Sequence, residues 1–240
     1  AVRWSLGFDD LDVDGCVKEA TSKTISHLGY RPIKTGKYLV CFTPEAFLSL
    51  IGSFSSIFNA RAVLDGVSLS SIDSIGKEIA VPFLSLRDDG LHPGNIGASS
   101  FDGEGTPTKG ISLIKEGKLQ NFIHSEATAR EFGVNPTGHA GLGAKVSVGP
   151  DWFVISNSMG SNEAISSLNH KNRMEKYVLI EGLNALHAGV KASQGSFSLP
   201  FDGWVVENGE KISIEAATVA GDIRTLLKSI RKFLIFQLTV

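Results

Sequence analysis

Apolar residues recur at helical spacing in two stretches of the first half of the chain. In VDGCVKEATSKTISHL, Val13 to Leu28, the residues Cys16, Ala20, Thr24 and Leu28 stand one turn apart and Gly29 supplies a stop, which predicts an amphipathic surface helix. In PEAFLSLIGSFSSIFNA the large side chains fall at Phe47, Leu48, Ile51, Phe54, Ile57 and Phe58, so a core helix is expected from Pro44 onward. The proline sits in the first turn, where its missing N–H costs nothing. Strand patterns surround these helices. Tyr38–Phe42 is a short apolar run closed by Thr43 and Pro44, and EIAVPFLSLRDD is a second strand whose Pro82 favours a sheet edge or a bulge. Asp151–Asn157 and Tyr177–Leu183 follow. ISLIKEGKLQNFI has two alternating arms around Lys115-Glu116-Gly117-Lys118, and Asn208-Gly209 turns a second hairpin between Trp204–Val206 and Ile212–Ile214. Ser125 and Gly133 bracket a short helix with a capping serine and a glycine stop. The end, GDIRTLLKSIRKFLIFQLTV, opens as an amphipathic helix and closes on an apolar tail, which either packs as a final strand or marks a cut end. The pattern predicts an α+β fold, a predominantly antiparallel β-sheet with hairpins and several packed helices. With no fixed repeat and no low-complexity linker, one domain over residues 1–240 is expected.

At 240 residues and 42% apolar content the chain can bury a sizeable core. Lys and Arg number 23 against 25 Asp and Glu, without long runs of either sign, so neither nucleic acid nor an anionic membrane is implied as a direct partner. The basic cluster KSIRKF, Lys228 to Phe233, reads as a solvated face or a helix C-terminus that complements the dipole. Cys16 and Cys41 lie far apart and outside any CxxC pair, which excludes a disulfide framework and favours a cytoplasmic setting. No stretch reaches the roughly 18 apolar residues of a membrane span.

The densest concentration of polar chemistry is RDDGLHPGNIGASSFDGEGTPTKG, from Arg87. A hydrolytic metal site requires histidines at geometry-enforcing spacing. His92, His124, His139, His170 and His187 are scattered singly, so no metal site is expected from this chain alone. GASSFDG is not a G-x-S-x-G elbow, and Cys41 in an apolar strand reads as an inert core thiol, which leaves no candidate nucleophile and no residue assigned a catalytic role. The glycines of GHAGLGAK and GEGTPTKG could cradle a phosphate, but neither segment matches the P-loop pattern. Asp88, Asp89, Asp102 and Glu104 could pair for acid–base work or bind a hard cation, or they could simply line turns made by the glycines among them.

The blocks HPGNIGASSFDGEGTPTKGISLIKEGKLQNFI, AREFGVNPTGHAG and QGSFSLPFDGWVVENGEKI, followed by ATVAGDI, resemble in order and spacing the C-terminal part of the TldD/PmbA family. TGHAG resembles the PmbA (TldE) branch. The resemblance implies a cytosolic two-subunit peptidase. In it, a TldD-like partner supplies zinc through an HExxxH motif and a cysteine near its C-terminus, and the PmbA-type subunit completes an enclosed chamber. HExxxH is absent here and no cysteine follows Cys41, so this chain is expected to bring no cofactor of its own. The resemblance also leads to the expectation that the family's N-terminal domain is not part of residues 1–240, in keeping with a start at Ala1 in mid-pattern. The loops are then expected to line a chamber for an extended peptide. His92, Asp102, Glu104 and His139 are candidate contacts with peptide or partner, and the competing reading is that they satisfy loop backbone. Partners implied are a TldD-like catalytic subunit and an extended peptide, with a homo-oligomer as the other assembly. The competing function is a non-proteolytic regulatory protein of the DNA gyrase modulator type.

Overall fold

The structure, a computed structural model, describes residues 1–157, 176–231 and 235–239, with backbone alone for Asn157 and for 235–239. Helix α1 (Val13–Ser26) starts where the Asp12 carboxylate accepts the Gly15 amide at 2.8 Å, and none of its residues is buried. It ends before Leu28, which stands in solvent. Its C-terminal end is tied down by His27, whose Nδ1 lies 2.6 Å from Ser213 Oγ and whose ring packs on Trp204 at 4.5 Å.

Strand β1 (Lys37–Phe42) leads through the Thr43 cap into α2 (Pro44–Ser53). The single long helix expected from Pro44 is interrupted. Phe54 leaves helical geometry, a 3₁₀ turn covers Ser55–Ile57, and α3 (Ala60–Leu64) restarts under an Asn59 cap. The cause is competition for backbone groups. The Ile123 amide donates to Phe58 O at 2.8 Å, and the Ala60 amide donates to Ile123 O at 3.1 Å, so these atoms are unavailable to a continuous helical ladder. Phe47, Phe54, Ile57 and Phe58 are buried all the same.

Next come β2 (Leu84–Asp88), β3 (Ile111–Lys115), β4 (Lys118–Leu119), helix α4 (Glu126–Phe132), the short pair β5 (Ala140–Gly141) and β6 (Ser147–Val148), and β7 (Phe153–Asn157). An antiparallel sheet runs in the order β4-β3-β2-β7. Pro82 is not within a strand. β2 begins after it and has neighbours on both sides, with its register shift at Leu86/Arg87. A residue without N–H is tolerated there because it precedes the ladder. In the β3–β4 turn Glu116 and Gly117 both take positive φ, 51° and 78°, as a two-residue primed turn requires.

The remaining elements are β8 (Lys176–Leu183), α5 (Leu186–Gly189), β9 (Val190–Lys191), β10 (Ser196–Glu207), β11 (Glu210–Ser213), β12 (Ala217–Asp222), α6 (Ile223–Lys228) and β13 (Ile235–Thr239). β10 pairs with β12, β12 with β13, β13 with β1, β1 with β8, and β8 again with β10. The strands therefore close on themselves as a ring, antiparallel throughout except for β1–β8. The apolar tail thus packs as a final strand; Phe233, Leu234 and Val240 lie outside the described residues, as do Lys232 of the basic cluster and His170. Asn208 and Gly209 turn β10 into β11 with φ of 53° and 87°.

One contiguous core joins both sheets. Val40, Phe42, Val178, Ile180, Leu199 and Val219 come from the ring, Phe47 and Leu50 from α2, and Leu84, Leu86, Leu113 and Ile114 from the four-stranded sheet. Phe54 meets Phe197 edge-on at 6.4 Å across the junction. Each such side chain contributes about 1.5–3 kcal/mol through removal from water. The architecture is α+β, as expected. Among the described residues no helix is long and apolar enough to cross a membrane.

Candidate functional site

The site grows from the pleat of β2. Leu84, Leu86 and Asp88 point to the interior while Arg87 faces out, so alternation carries a carboxylate to the inner face with no exposure to solvent. A charge so placed must be compensated. Asp88 Oδ1 accepts the Trp152 amide at 2.6 Å, and Oδ2 accepts the Asp151 amide at 2.9 Å. His139 Nε2 stands 3.3 Å from Asp88 Oδ2, within ion-pair distance though off the hydrogen-bonding line, and both side chains are fully buried. The His139 ring is positioned by Nδ1, 2.9 Å from Thr137 Oγ1. The Thr137 hydroxyl in turn accepts the His124 amide at 2.7 Å and donates to the His124 carbonyl at 3.1 Å. One buried carboxylate and one threonine thereby fasten four backbone segments together.

In front of this cluster lies a cavity of about 520 Å³. Its walls are Gly90, Asn95 and Gly97, then Phe101 to Gly103 and Thr108, then Gly138 to Gly141, then Gly149 to Asp151. The RDDGLHPG, FDGEGTPT and TGHAG segments thus meet around a single space. Two glycines keep it open. A Cβ on Gly90 would fall 2.6 Å from Asp151 Oδ2, and Gly138 has φ of 76° with Pro107 O only 2.6 Å from where a Cβ would be. Burial pushes the Asp151 carboxyl above its ordinary range; His139 pulls it back, and Asp88 and Asp102 add to the rise.

Of the four residues singled out from the sequence, Asp102 and His139 line this cavity, while His92 and Glu104 stand on adjoining loops outside it. Asp102 is spent on backbone: Oδ1 accepts the amides of Glu104 and Thr106 at 2.9 Å each, and Oδ2 that of Ala140 at 3.0 Å. Glu104 accepts the Glu126 amide at 2.8 Å, and His92 accepts that of Gly94 at 3.0 Å while its ring stacks on Trp152 at 5.5 Å. The sequence offers Asp88 only as one of four carboxylates that could do chemistry or line turns, and it gives no sign of Thr137 or Asp151 as site residues. The strict alternation Leu84, Leu86, Asp88 was the signal that could have found the first of them.

The donor set does not fit the zinc that a metallopeptidase relation implies. His139 and Asp88 face each other, and both Asp88 oxygens already accept amides. Among the described residues no three His, Cys, Asp or Glu side chains converge as ligands. Cys41 offers no nucleophile, because burial pushes its thiol up to about 11. What the site does present is main-chain polarity. Gly149 to Asp151 run directly into β7, which among the described residues pairs on one side only, with β2.

Residues 35–233 match the family described as the PmbA/TldA metallopeptidase C-terminal domain. The chain is 26% identical over 213 residues to the metalloprotease PmbA of Escherichia coli O157:H7, covering 88% of this chain and 44% of that protein. A Thermotoga maritima protein described as a candidate modulator of a DNA gyrase superposes with a TM-score of 0.82 at 28% identity, over 97% of this chain and 55% of that one. TldE from Thermococcus kodakarensis shares the fold, with a TM-score of 0.75 at 23% identity over 96% of this chain and 54% of that one. The chain spans about half the length of the curated relatives it matches.

Proposed function

The chain belongs to the PmbA/TldD metallopeptidase family through its C-terminal domain, and from that premise we propose that it is part of a noncatalytic PmbA/TldE-type subunit of a zinc peptidase that acts on unstructured peptides. The observation that carries the reading is the cavity beside β7, where the TGHAG and RDDG segments are locked by a buried Asp–His pair with no ligand set for zinc. A site of this kind holds a peptide through loop amides and a strand edge, by addition of an extended chain to the sheet. Hydrolysis then falls to a TldD-like partner whose HExxxH motif holds the zinc. A cytoplasmic location belongs to the same proposal.

The test compares full-length protein, a TldD-like partner and their mixture on an unstructured peptide, with the metal content of each measured by mass spectrometry. Cleavage by the mixture alone, with zinc in the partner, is the expected result. Cleavage by this protein alone, with zinc bound to it, overturns the proposal. A second reading, a non-proteolytic regulator, is favoured by the Thermotoga relative described as a candidate gyrase modulator. It predicts that gyrase supercoiling responds to the protein while the mixture with a TldD-like partner cleaves nothing.

A further inference from the structure

Asp151 stands apart from the other carboxylates around the cavity beside β7. Asp88 and Asp102 each accept backbone amides through both oxygens. The Asp151 carboxylate has no hydrogen bond and no ion pair among the described residues, although its own amide is held by Asp88. Gly90 shows where it lies. A Cβ on that glycine would stand 2.6 Å from Asp151 Oδ2 and 2.8 Å from Thr108 Cγ2, and all three residues are cavity walls, so Oδ2 occupies the space in front of Gly90. The titratable side chains that line the cavity are Asp102, Asp151 and His139, of which the last faces Asp88; none is Lys or Arg. The cations that flank these segments in sequence are placed elsewhere: Arg87 lies 3.8 Å from Asp89, and Lys109 and Lys145 line other hollows. Charge on Asp151 also works against the fold, because burial raises its pKa and Asp88 and Asp102 add to the rise, with His139 opposing. An unpaired carboxylate kept in a cavity at that cost marks a site rather than a scaffold.

We propose that Asp151 receives a positively charged nitrogen of the bound peptide, so that this cavity selects extended peptides that present an ammonium or guanidinium group beside the strand edge. The inference rests on the reading of the cavity as a peptide site and adds a substrate class to it. Several observations select a cation. The one lining carboxylate without a partner supplies both a charge and an acceptor, and hydrogen bonds between ions are the strong ones. Asn95, Ser99 and Ser147 are neutral wall residues whose side-chain oxygens can take further N–H groups. Phe101, a wall residue that is 61% exposed, adds an aromatic ring, and the face of such a ring attracts cations. An acidic side chain would meet two carboxylates and no lysine or arginine. A metal ion fits less well, because no three His, Cys, Asp or Glu side chains converge among the described residues. An N–H cation needs only one charged partner and neutral oxygens around it.

The same cation comes from a peptide's amino terminus and from a basic side chain, and one peptide series separates the two. Binding to the full-length protein alone is measured by calorimetry, with EDTA present, for a short unstructured peptide of Gly, Ser and Leu with an amidated C-terminus. Its forms are N-acetylated and uncharged, free at the amino terminus, N-acetylated with one internal lysine, and N-acetylated with that lysine acetylated. At least one charged form is expected to bind about tenfold more tightly than its neutral counterpart, the ratio that one net charge-assisted hydrogen bond provides. A gain from the free terminus assigns Asp151 to the amino end of the peptide, and a gain from the lysine assigns it to a side chain. Asp151→Asn is expected to lose the preference and still bind the neutral peptide. Asp89→Asn, which removes a charge outside the cavity lining, is expected to keep it. Cleavage of the neutral peptide by the mixture with a TldD-like partner reports on the subunit reading by itself. Equal affinity for charged and neutral forms overturns the proposal and leaves the peptide site standing. A preference that survives Asp151→Asn, or that falls as much with Asp89→Asn, overturns it as well, and no binding of any form overturns the proposal and the peptide site together.

Discussion

Replacing Asp88 by Asn keeps the side-chain shape and removes its charge. In the folded protein this carboxylate has no solvent exposure, accepts two backbone amides and faces His139 at 3.3 Å. The variant turns an NH₂ group toward a donor that needs an acceptor and removes the carboxylate that His139 faces. Breaking a buried pair from one side costs about 3–5 kcal/mol. That is a large part of the roughly 5–15 kcal/mol by which a domain is stable. With a urea m-value of about 2 kcal/mol per M the midpoint should fall by about 1.5–2.5 M. His139→Leu should cost a comparable amount, because it strands the carboxylate. The two losses arise from one interaction, so the double variant should be less destabilised than their sum by at least about 1 kcal/mol. The assay is urea unfolding of the four proteins followed by tryptophan fluorescence and far-UV circular dichroism. A loss below about 1 kcal/mol for Asp88→Asn, or additivity within about 0.5 kcal/mol, would refute the view that this pair holds the cavity together.

Asp151 gives a pH signature. Its folded-state pKa lies above the ordinary 3.8, so the folded protein holds that proton more tightly than the unfolded chain does. Its favourable contribution is full below 3.8 and is lost as pH rises through the folded value. Asp151→Asn should therefore be more stable than the parent at pH 7, with the difference shrinking below about pH 4; a parent that is the more stable at pH 7 rejects this. Gly203→Ala would place a Cβ 2.1 Å from the Leu179 carbonyl oxygen across the β10–β8 pairing, and should lower the thermal midpoint of the whole domain rather than that of a local segment. Cys41, with its thiol at about 11, should react with iodoacetamide at neutral pH far more slowly than a free cysteine, and protein labelled there as fast as the free amino acid would contradict its burial.

The local grammar of the chain was legible. Glu116-Gly117 and Asn208-Gly209 turn where positive φ was required, Ser125 and Gly133 bracket α4, and Thr43 caps α2 ahead of Pro44. Partners distant in sequence were not. Nothing within Phe54 to Ala60 announces that Ile123 will claim the Phe58 carbonyl and the Ala60 amide, so the periodicity alone predicts one helix where there are two. The same limit applied to the site. Asp88, within RDDG, looks like one of several turn carboxylates until β2 is in place and its pleat turns that residue inward. Asp102 was legible as polar and conspicuous, but its bond to Ala140 could not be read locally. Trp152 stacks with His92 for the same reason, across a separation no motif spans.

Closure of the strand ring has a consequence for the order of events during synthesis. Lys37 pairs with Thr239 and Cys41 with Ile235, while β1 also needs β8 on its other side. β1 precedes β13 by most of the domain, so its hydrogen-bonding groups on that flank have no partner until β13 has left the ribosome. Such long-range pairings fold slowly, because chain closure must come before the contacts that reward it. Through that interval the apolar strand Tyr38–Phe42 and the helix behind it stand ready to pair with other nascent chains. The nascent protein should therefore depend on chaperone occupancy until β13 arrives.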